Sequence, residues 1–457
     1  MPLRRTGGPA GQTDRVHETA PDDAPPASLA PGPGGADEDA PSELLTYELL
    51  TEGEASPATN MVITALGQVL ARHEDRTEGA VADYIPELAK VDPDRYGVAL
   101  ASVHGRVYTA GDCSTPFTIQ SVSKPFVYAL ALEDLGLDRV AEHIDFEPSG
   151  EPFNAISLDE ASGRPSNPLI NAGAIVSTSL VAADGPAERF ARIRERLSAF
   201  AGRELELDDA VYASESATGD RNRALAHLAA SSGVLGAPVT EAVDTYFRQC
   251  SLVVTARDLA VMGATLANSG INPVTGETVI HESTAMTVLS VMATCGMYDD
   301  SGEWMVRVGL PAKSGVGGGI VAVQPAEFGI GTFSPRLDSR GNSVRGIAAL
   351  QDLSGTFGLH LLNHHRVPRS AIAGRDGGDG ELRLTLRGEL DFIAMEEIAH
   401  ELVGFAVGTE GRGGTVTLDV TNVTLVRSAV EQFLLQAVDR LRTFDVELQI
   451  VDRTDGG

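Results

Sequence analysis

What most limits the fold of this chain is the lack of breaks through its middle. From about Glu43 to about His365 no convincing linker interrupts the sequence. At 457 residues the chain is longer than one typical domain and can bury a large core. Most of that length has to pack as one body, here read as residues 43–365. Within it, helix-like stretches such as SELLTYELLTEG and ATNMVITALGQVLARHE stand beside extended runs such as YGVALASVHGRVYTAG. That mixture predicts an α+β core.

Two changes of composition bound this body. The first 42 residues hold eight of the chain's 24 prolines and almost no large apolar side chain. Such a segment buries too little to offset the entropy of ordering, so residues 1–42 read as a disordered acidic, Pro/Gly-rich tail. The second change is RVPRSAIAGRDGGDGE, Arg366–Glu381, where glycine and aspartate crowd together as in an exposed linker, taken as 366–380. From 381 to 457, strand-like LRLTLRGELD, GGTVTLDVTNV and VELQIVD alternate with helix-like AMEEIAHELVGFAV and SAVEQFLLQAVDRLRTF. That alternation predicts a small α/β domain.

Charge and cysteine usage narrow the classes. Sixty-four acidic against 35 basic residues give a formal charge of -29, whose field repels nucleic-acid phosphates and anionic lipid. The same excess suits solubility in concentrated salt. Cys113, Cys250 and Cys295 are few, scattered and odd in number, which argues against a disulfide framework and for a reducing cytoplasm. No apolar run follows the early arginines, so no secretory signal is read, and no apolar stretch is long enough to span a membrane.

The chemistry begins at QSVSKPFVYALALEDLG, Gln120–Gly136. Pro125 suits a first helical turn, and the apolar run behind it can sink a helix into a core. Ser121 then sits at the helix amino end with Lys124 one turn on, facing the same side. A hydroxyl needs a neighbouring base to act as nucleophile, and a buried lysine can supply one because desolvation frees its amine. Spacing alone leaves the plainer reading open, in which the serine is a helix cap.

Four other segments add suitable side chains. NPLINAGAIV carries Asn171, and ASESATGDRNRALAHLA carries Glu215 and Asn222, seven apart and so two turns along a continuous helix. YFRQCSL contributes Tyr246, and the run from Thr294 to Pro325 contributes Tyr298, Lys313, Ser314 and a glycine cluster before a strand. Singly, Asn171 reads as a cap, Glu215 as a solvated charge and Tyr298 as a packed aromatic. SGVGGG lacks the Walker spacing but suits exposed backbone amides, as an oxyanion site requires. His364 and His365 are adjacent, yet no zinc signature accompanies them, and no metal or organic cofactor is demanded.

Long ordered strings then carry a resemblance. GAVADYIPELA, FTIQSVSK, EPSGEPFNAI, NPLINAGAI, SESATGDRNRALA, PAKSGVGGGI and FSPRLDSRGNSVRG make the span from about Glu52 to Leu362 resemble the serine-dependent glutaminases. That family shares the fold of serine β-lactamases and penicillin-binding proteins. The resemblance implies hydrolysis of L-glutamine to L-glutamate and ammonia, with Ser121 as nucleophile and Lys124 as its proton acceptor. It implies that Tyr84, Asn171, Glu215, Asn222, Tyr246 and Tyr298 surround the substrate. Val316 would complete the oxyanion hole by its main chain, and Tyr298 or Tyr246 would relay a proton. It also implies a dimer or tetramer.

RGELDF and TLDVTNVTLVRSAVEQFLL resemble the STAS (sulfate transporter and anti-sigma factor antagonist) fold. Where phosphorylated antagonists read Asp-Ser-Ser-Gly, this chain has Arg427, Ser428, Ala429 and Val430. Ala429 replaces the phosphoacceptor, so a phosphorylation switch is not expected. A protein, a small ligand or another copy of the chain remains a possible partner. Two other readings compete with a glutaminase: a β-lactam or peptide acyl transferase, and a non-enzymatic scaffold of an anti-sigma pathway. The first lacks an export signal, and the second has no use for the serine, lysine and tyrosine set.

Overall fold

The computed structural model describes residues 57–150, 155, 158–159, 161–363, 370–378, 380–390, 392–409, 412–426, 437–438 and 440–452. The proline-rich tail, SELLTYELLTEG, the histidine pair and the Arg427–Val430 loop lie outside the described residues.

ATNMVITALGQVLARHE folds as expected into α1 (Pro57–His73), and the extended run after it becomes a hairpin of β1 (Gly97–Ser102) and β2 (Val107–Gly111). A short pair, β3 (Phe117–Thr118) and β4 (Val253–Val254), brackets a helical region. That region contains α2 (Lys124–Leu135), α3 (Leu137–Ala141), α4 (Asn171–Leu180), α5 (Pro186–Ala201), α6 (Asp209–Thr218), α7 (Asp220–Ser231) and α8 (Val239–Cys250). Then follow α9 (Ala256–Ala267), α10 (Glu282–Cys295), α11 (Ser301–Arg307), β5 (Ala312–Ser314), β6 (Gly319–Gln324), β7 (Phe328–Phe333) and α12 (Val344–Phe357). The main sheet is antiparallel throughout, in the order β2-β1-β7-β6-β5.

Strand periodicity sorts this sheet between two cores. Val98 on β1, and Ile320 and Ala322 on β6, join Leu66 and Val69 of α1 and Leu350 and Leu353 of α12. Their neighbours Ala99, Ala101, Val321 and Val323 join the larger core built on α2 and α9. A capping box between Thr255 and Asp258 starts α9. The helix then lies so close to β7 that a Cβ on Gly329 would come within 2.2 Å of the Ala264 amide nitrogen. On Gly331 a Cβ would come within 2.0 Å of the Ala256 carbonyl, so only glycine fits at either place. In α2 every residue from Lys124 to Leu132 is buried, which makes it the central helix of the larger core. Each fully buried Phe, Leu or Val there contributes about 1.5–3 kcal/mol.

The C-terminal residues form a second sheet, β11-β10-β9-β8, with their own apolar cluster, including Leu384, Ile398, Leu402 and Val416. LRLTLRGELD becomes β9 (Glu381–Leu390), AMEEIAHELVGFAV falls in α13 (Phe392–Gly408), GGTVTLDVTNV in β10 (Gly414–Val426) and VELQIVD in β11 (Val446–Val451). β10 runs parallel to both β9 and β11. Most of the second expected helix lies outside the described residues. One expectation needs correcting: the stretch 366–380, read as linker, contains β8 (Ile372–Gly378), paired antiparallel with β9. Its Gly-Arg-Asp-Gly-Gly lettering lacks β-branched residues, but an edge strand needs only backbone pairing on one side.

Candidate active site

The expected serine-lysine helix is real in outline and different in detail. Gln120–Ser123 form a 3₁₀ turn, and α2 proper starts at Lys124 with Pro125 in its first turn. Ser121 therefore stands just before the helix rather than within it. Gln120, the residue in front of it, has φ of 50°. A left-handed non-glycine residue costs about 1–3 kcal/mol and persists only where packing enforces it. Here the glycine run after β5 presses against the turn. A Cβ on Gly317 would lie 2.6 Å from the Thr118 carbonyl, and one on Gly315 3.1 Å from that of Ile119. This close approach brings the buried Val316 into the same cavity as Ser121.

Lys124 is wholly buried. Its Nζ donates to Asn171 Oδ1 at 2.7 Å and to the Leu169 carbonyl at 3.4 Å. Desolvation brings the amine down to about 8, against the opposing pull of the Glu215 carboxylate. Asn171 opens α4 without capping it and points its amide into the site, where Nδ2 donates to Asn222 Oδ1 at 2.9 Å. The Tyr246 hydroxyl on α8 also donates to Asn171 Oδ1, at 3.4 Å. The neighbouring Cys250 thiol is buried and unbridged, like those of Cys113 and Cys295, and burial pushes it up and out of reach of ionisation.

Glu215 and Asn222 meet at the same cavity by a route the spacing did not reveal. They lie on separate helices, α6 and α7, which turn at Gly219. A Cβ there would sit 2.2 Å from Phe247 Cζ and 2.9 Å from the Glu215 carbonyl, so the corner closes only around glycine. Glu215 is buried, its Oε2 has no hydrogen-bond partner, and desolvation pushes its carboxyl up to about 8. The nearby Lys124 and the Gln120 side chain oppose that shift.

Tyr298 approaches Ser121 from the other side. It begins a second 3₁₀ turn, Tyr298–Asp300, with φ of 57°, the second left-handed residue beside the serine. Its phenol neighbours the Ser121 hydroxyl within hydrogen-bonding reach and donates to the Ser314 carbonyl at 3.2 Å; burial holds it up at about 12. The same Ser314 carbonyl accepts from Lys313 Nζ at 2.6 Å, and that nitrogen lies 3.9 Å from the centre of the Tyr298 ring. Burial and the nearby Lys124 hold the Lys313 amine far below its ordinary range. No hydrogen bond joins Ser121 to Lys124.

A cavity of about 150 Å³ gathers most of the residues expected from the sequence. Ser121, Asn171, Glu215, Asn222, Tyr246 and Val316 line it, with Tyr84, 53% exposed, at its mouth. Lys124 and Tyr298 stand one contact behind, through Asn171 and Ser121. Gln120, Thr218 and Arg221 also line the cavity and were not singled out from the sequence. The lettering placed Gln120 beside the serine but could not show which way it faces. Among the described residues no group of three or more His, Cys, Asp or Glu is placed to hold a metal, and no helix is long and apolar enough to cross a membrane.

Residues 79–362 match the family described as Glutaminase. The chain belongs to the glutaminase family. It is 49% identical over 316 residues to the glutaminase of Trichormus variabilis, covering 69% of this chain and 95% of that protein. With the glutaminase of Corynebacterium glutamicum it shares 43% identity over 395 residues, 85% of this chain and 94% of the relative. Glutaminase 1 of Bradyrhizobium diazoefficiens is 47% identical over 391 residues, but the chain spans only 63% of its length, and only 47% of that of Glutaminase 2 from the same organism. Among solved structures, a crystal structure of Mglu superposes with a TM-score of 0.77 at 41% identity, covering 86% of this chain and 98% of that one. The sheet and helices of this glutaminase-family core are consistent with the serine β-lactamase-like fold expected from the sequence.

Proposed function

We propose that the chain hydrolyses L-glutamine to L-glutamate and ammonia through an acyl-enzyme on Ser121. One observation carries the reading: the unpartnered Oε2 of buried Glu215 faces a cavity that also holds the Ser121 hydroxyl. A buried carboxylate without a partner is costly unless a ligand cation meets it, and the α-ammonium of glutamine is such a cation. Asn222 and Tyr246 then serve the α-carboxylate, and the side-chain amide extends toward the serine. A structure of Mglu, 38% identical, is described in its glutamate form.

In this reading the Ser121 oxygen attacks the γ-carbonyl carbon while its proton passes by way of the Tyr298 hydroxyl, which gives up its own proton as it takes that one, to the neutral amine of Lys124. The oxyanion is held by the backbone amides of Ser121 and Val316. In support, the Val316 amide makes no hydrogen bond among the described residues. Collapse of the tetrahedral species breaks the C–N bond, and the leaving nitrogen takes a proton to depart as ammonia. Water adds to the ester, giving up a proton to the same groups, and glutamate leaves as Ser121 regains its hydrogen. Lys124, neutral at the moment of attack and held in place by Asn171, keeps the proton it receives until the leaving nitrogen takes it.

The test is ammonia release by the purified chain from L-glutamine, with L-asparagine and a chromogenic β-lactam run in parallel. Turnover of glutamine that disappears in Ser121→Ala supports the proposal. Preferential opening of the β-lactam, or near wild-type release by Ser121→Ala, would overturn it.

For the C-terminal residues we infer a STAS-like domain that regulates or assembles the enzyme into a dimer or tetramer. The separate apolar cluster and the parallel β9-β10-β11 order favour a self-contained unit. The match with the Corynebacterium glutamicum protein is longer than the 79–362 family span, so it extends beyond the catalytic core. Solution mass of the full chain, measured over a range of concentrations, tests the assembly role; a monomer at every concentration would remove it.

A further inference from the structure

The string FSPRLDSRGNSVRG, Phe333–Gly346, plays no part in the reaction as proposed, yet it reaches the site. We propose that the loop Asp338–Ser343, through Asn342 and Arg340, is the positioning device for Tyr298. The inference rests on the acyl-enzyme reading above. Tyr298 needs such a device because its turn has only three residues and a left-handed start. Locally, the Ser301 hydroxyl holds the backbone, donating to the Tyr298 carbonyl at 2.9 Å and accepting from the Met297 amide at 3.1 Å, but these bonds leave the side chain to be fixed by contacts from elsewhere.

Asn342 is wholly buried and ties together the two segments that hold Tyr298. Its Nδ2 donates to Asp300 Oδ2 at 3.2 Å, gripping the turn that carries the tyrosine backbone. Its Oδ1 accepts from Ser314 Oγ at 2.6 Å, gripping the residue whose carbonyl accepts from the tyrosine hydroxyl. One amide group therefore fixes the backbone end and the phenol end of Tyr298 together. Arg340 adds a second tie, with an ion pair to Asp300 and another to Asp299 at 3.4 Å. The loop is itself stiffened by Asp338 Oδ1, which accepts from the backbone amides of Arg340 at 2.9 Å and Asn342 at 3.0 Å. An asparagine is required at the buried position because one neighbour accepts and the other donates. An aspartate of the same shape would set a second carboxylate against Asp300.

The test measures steady-state glutamine hydrolysis by full-length Asn342→Ala, Arg340→Ala and Asn342→Asp, each alone and in a Tyr298→Phe background. Asn342→Ala is expected to lower kcat about 10- to 100-fold with KM changed less than about twofold, the signature of a displaced reacting group. In the Tyr298→Phe background the same change is expected to cost less than about twofold, because the group it positions is gone. Arg340→Ala, near the surface, is expected to show a smaller loss with the same dependence on Tyr298, and it carries the test should Asn342→Ala fail to fold. Should Tyr298→Phe be too slow for that comparison, the swap Asp300→Asn with Asn342→Asp decides: it restores the donor-acceptor pair and should recover at least half of the kcat lost in Asn342→Asp. Equal losses with and without Tyr298, a wild-type kcat in both alanine variants, or no recovery in the swap would overturn the proposal. A wild-type rate in Tyr298→Phe alongside a dead Ser121→Ala would remove the positioning role while leaving the acyl-enzyme; an active Ser121→Ala would remove both.

Discussion

Lys124 and Asn171 are joined by a 2.7 Å hydrogen bond from the buried amine to the amide oxygen, while the serine three residues earlier is engaged by a tyrosine instead. The amine expected from spacing to act as base thus makes no hydrogen bond to that serine, and its protonation state depends on burial and on the nearby Cys250 and Glu215 side chains. With Lys124 down to about 8 and Glu215 up to about 8, the competent free enzyme has a neutral amine and an ionised carboxylate. Both forms are gained as pH rises, so kcat/KM should climb steeply from pH 6 to about pH 8. Log(kcat/KM) measured from pH 6 to 9.5 should rise with a slope above 1 in wild type and near 1 in Glu215→Gln. A flat profile across that range sinks the assignment.

Glu215→Gln should also separate stability from activity. The folded carboxyl titrates near 8 and an unfolded one near its ordinary value of 4.5, so its contribution to stability is fully present below 4.5. That contribution is lost as pH rises toward the folded value. Glutamine cannot ionise, so the variant escapes this loss. Its stability relative to wild type should grow between pH 5 and 8 by on the order of a few kcal/mol while glutamine turnover collapses. Thermal melts at pH 5 and pH 8 decide this; an advantage that does not increase with pH contradicts it.

Gly219→Ala tests the corner between α6 and α7. Its backbone φ of -83° is open to any residue, so the whole cost comes from the Cβ driven into the Phe247 ring and the Glu215 carbonyl. Overpacking of this kind costs about 1–3 kcal/mol. Because Glu215 and Asn222 flank the corner, KM for glutamine should rise more than kcat falls. An unchanged melting temperature and KM would mean that the corner yields freely.

The apolar cluster between Ala371 and Val446 draws on no residue of the catalytic core. A chain ending at Asn363 should therefore fold and hydrolyse glutamine within about threefold of the full-length kcat, whatever happens to its oligomeric state. A soluble, folded truncation without activity would make the C-terminal domain part of the active assembly.

The site was legible wherever chemistry is written in side-chain identity. Ser121, Lys124, Asn171, Glu215, Asn222, Tyr246 and Val316 could be named because ordered strings surround them, and they do converge, with Tyr84 and Tyr298, on one place. What could not be read was backbone conformation. Nothing in the letters of Gln120 or Tyr298 announces a left-handed φ, because packing imposes it against local preference. The break at Gly219 was hidden since the flanking residues keep helical character on both sides. β8 was missed for the opposite reason: its composition signals a turn, and only β9 beside it makes it a strand.

β5 is the last strand of the main sheet, paired with β6 on one side only. An unpaired strand edge is a template for self-association, and proteins cover or disrupt it. In this chain the Gln120–Ser123 turn lies near both β5 and β6, and α10 also meets β5, so the segment bearing Ser121 is one of the neighbours that hold this strand. Order at Ser121 and order at the last strand are then linked through one contact. A substitution that loosens the serine turn also loosens a neighbour of that strand, and a protein losing activity this way should lose solubility with it.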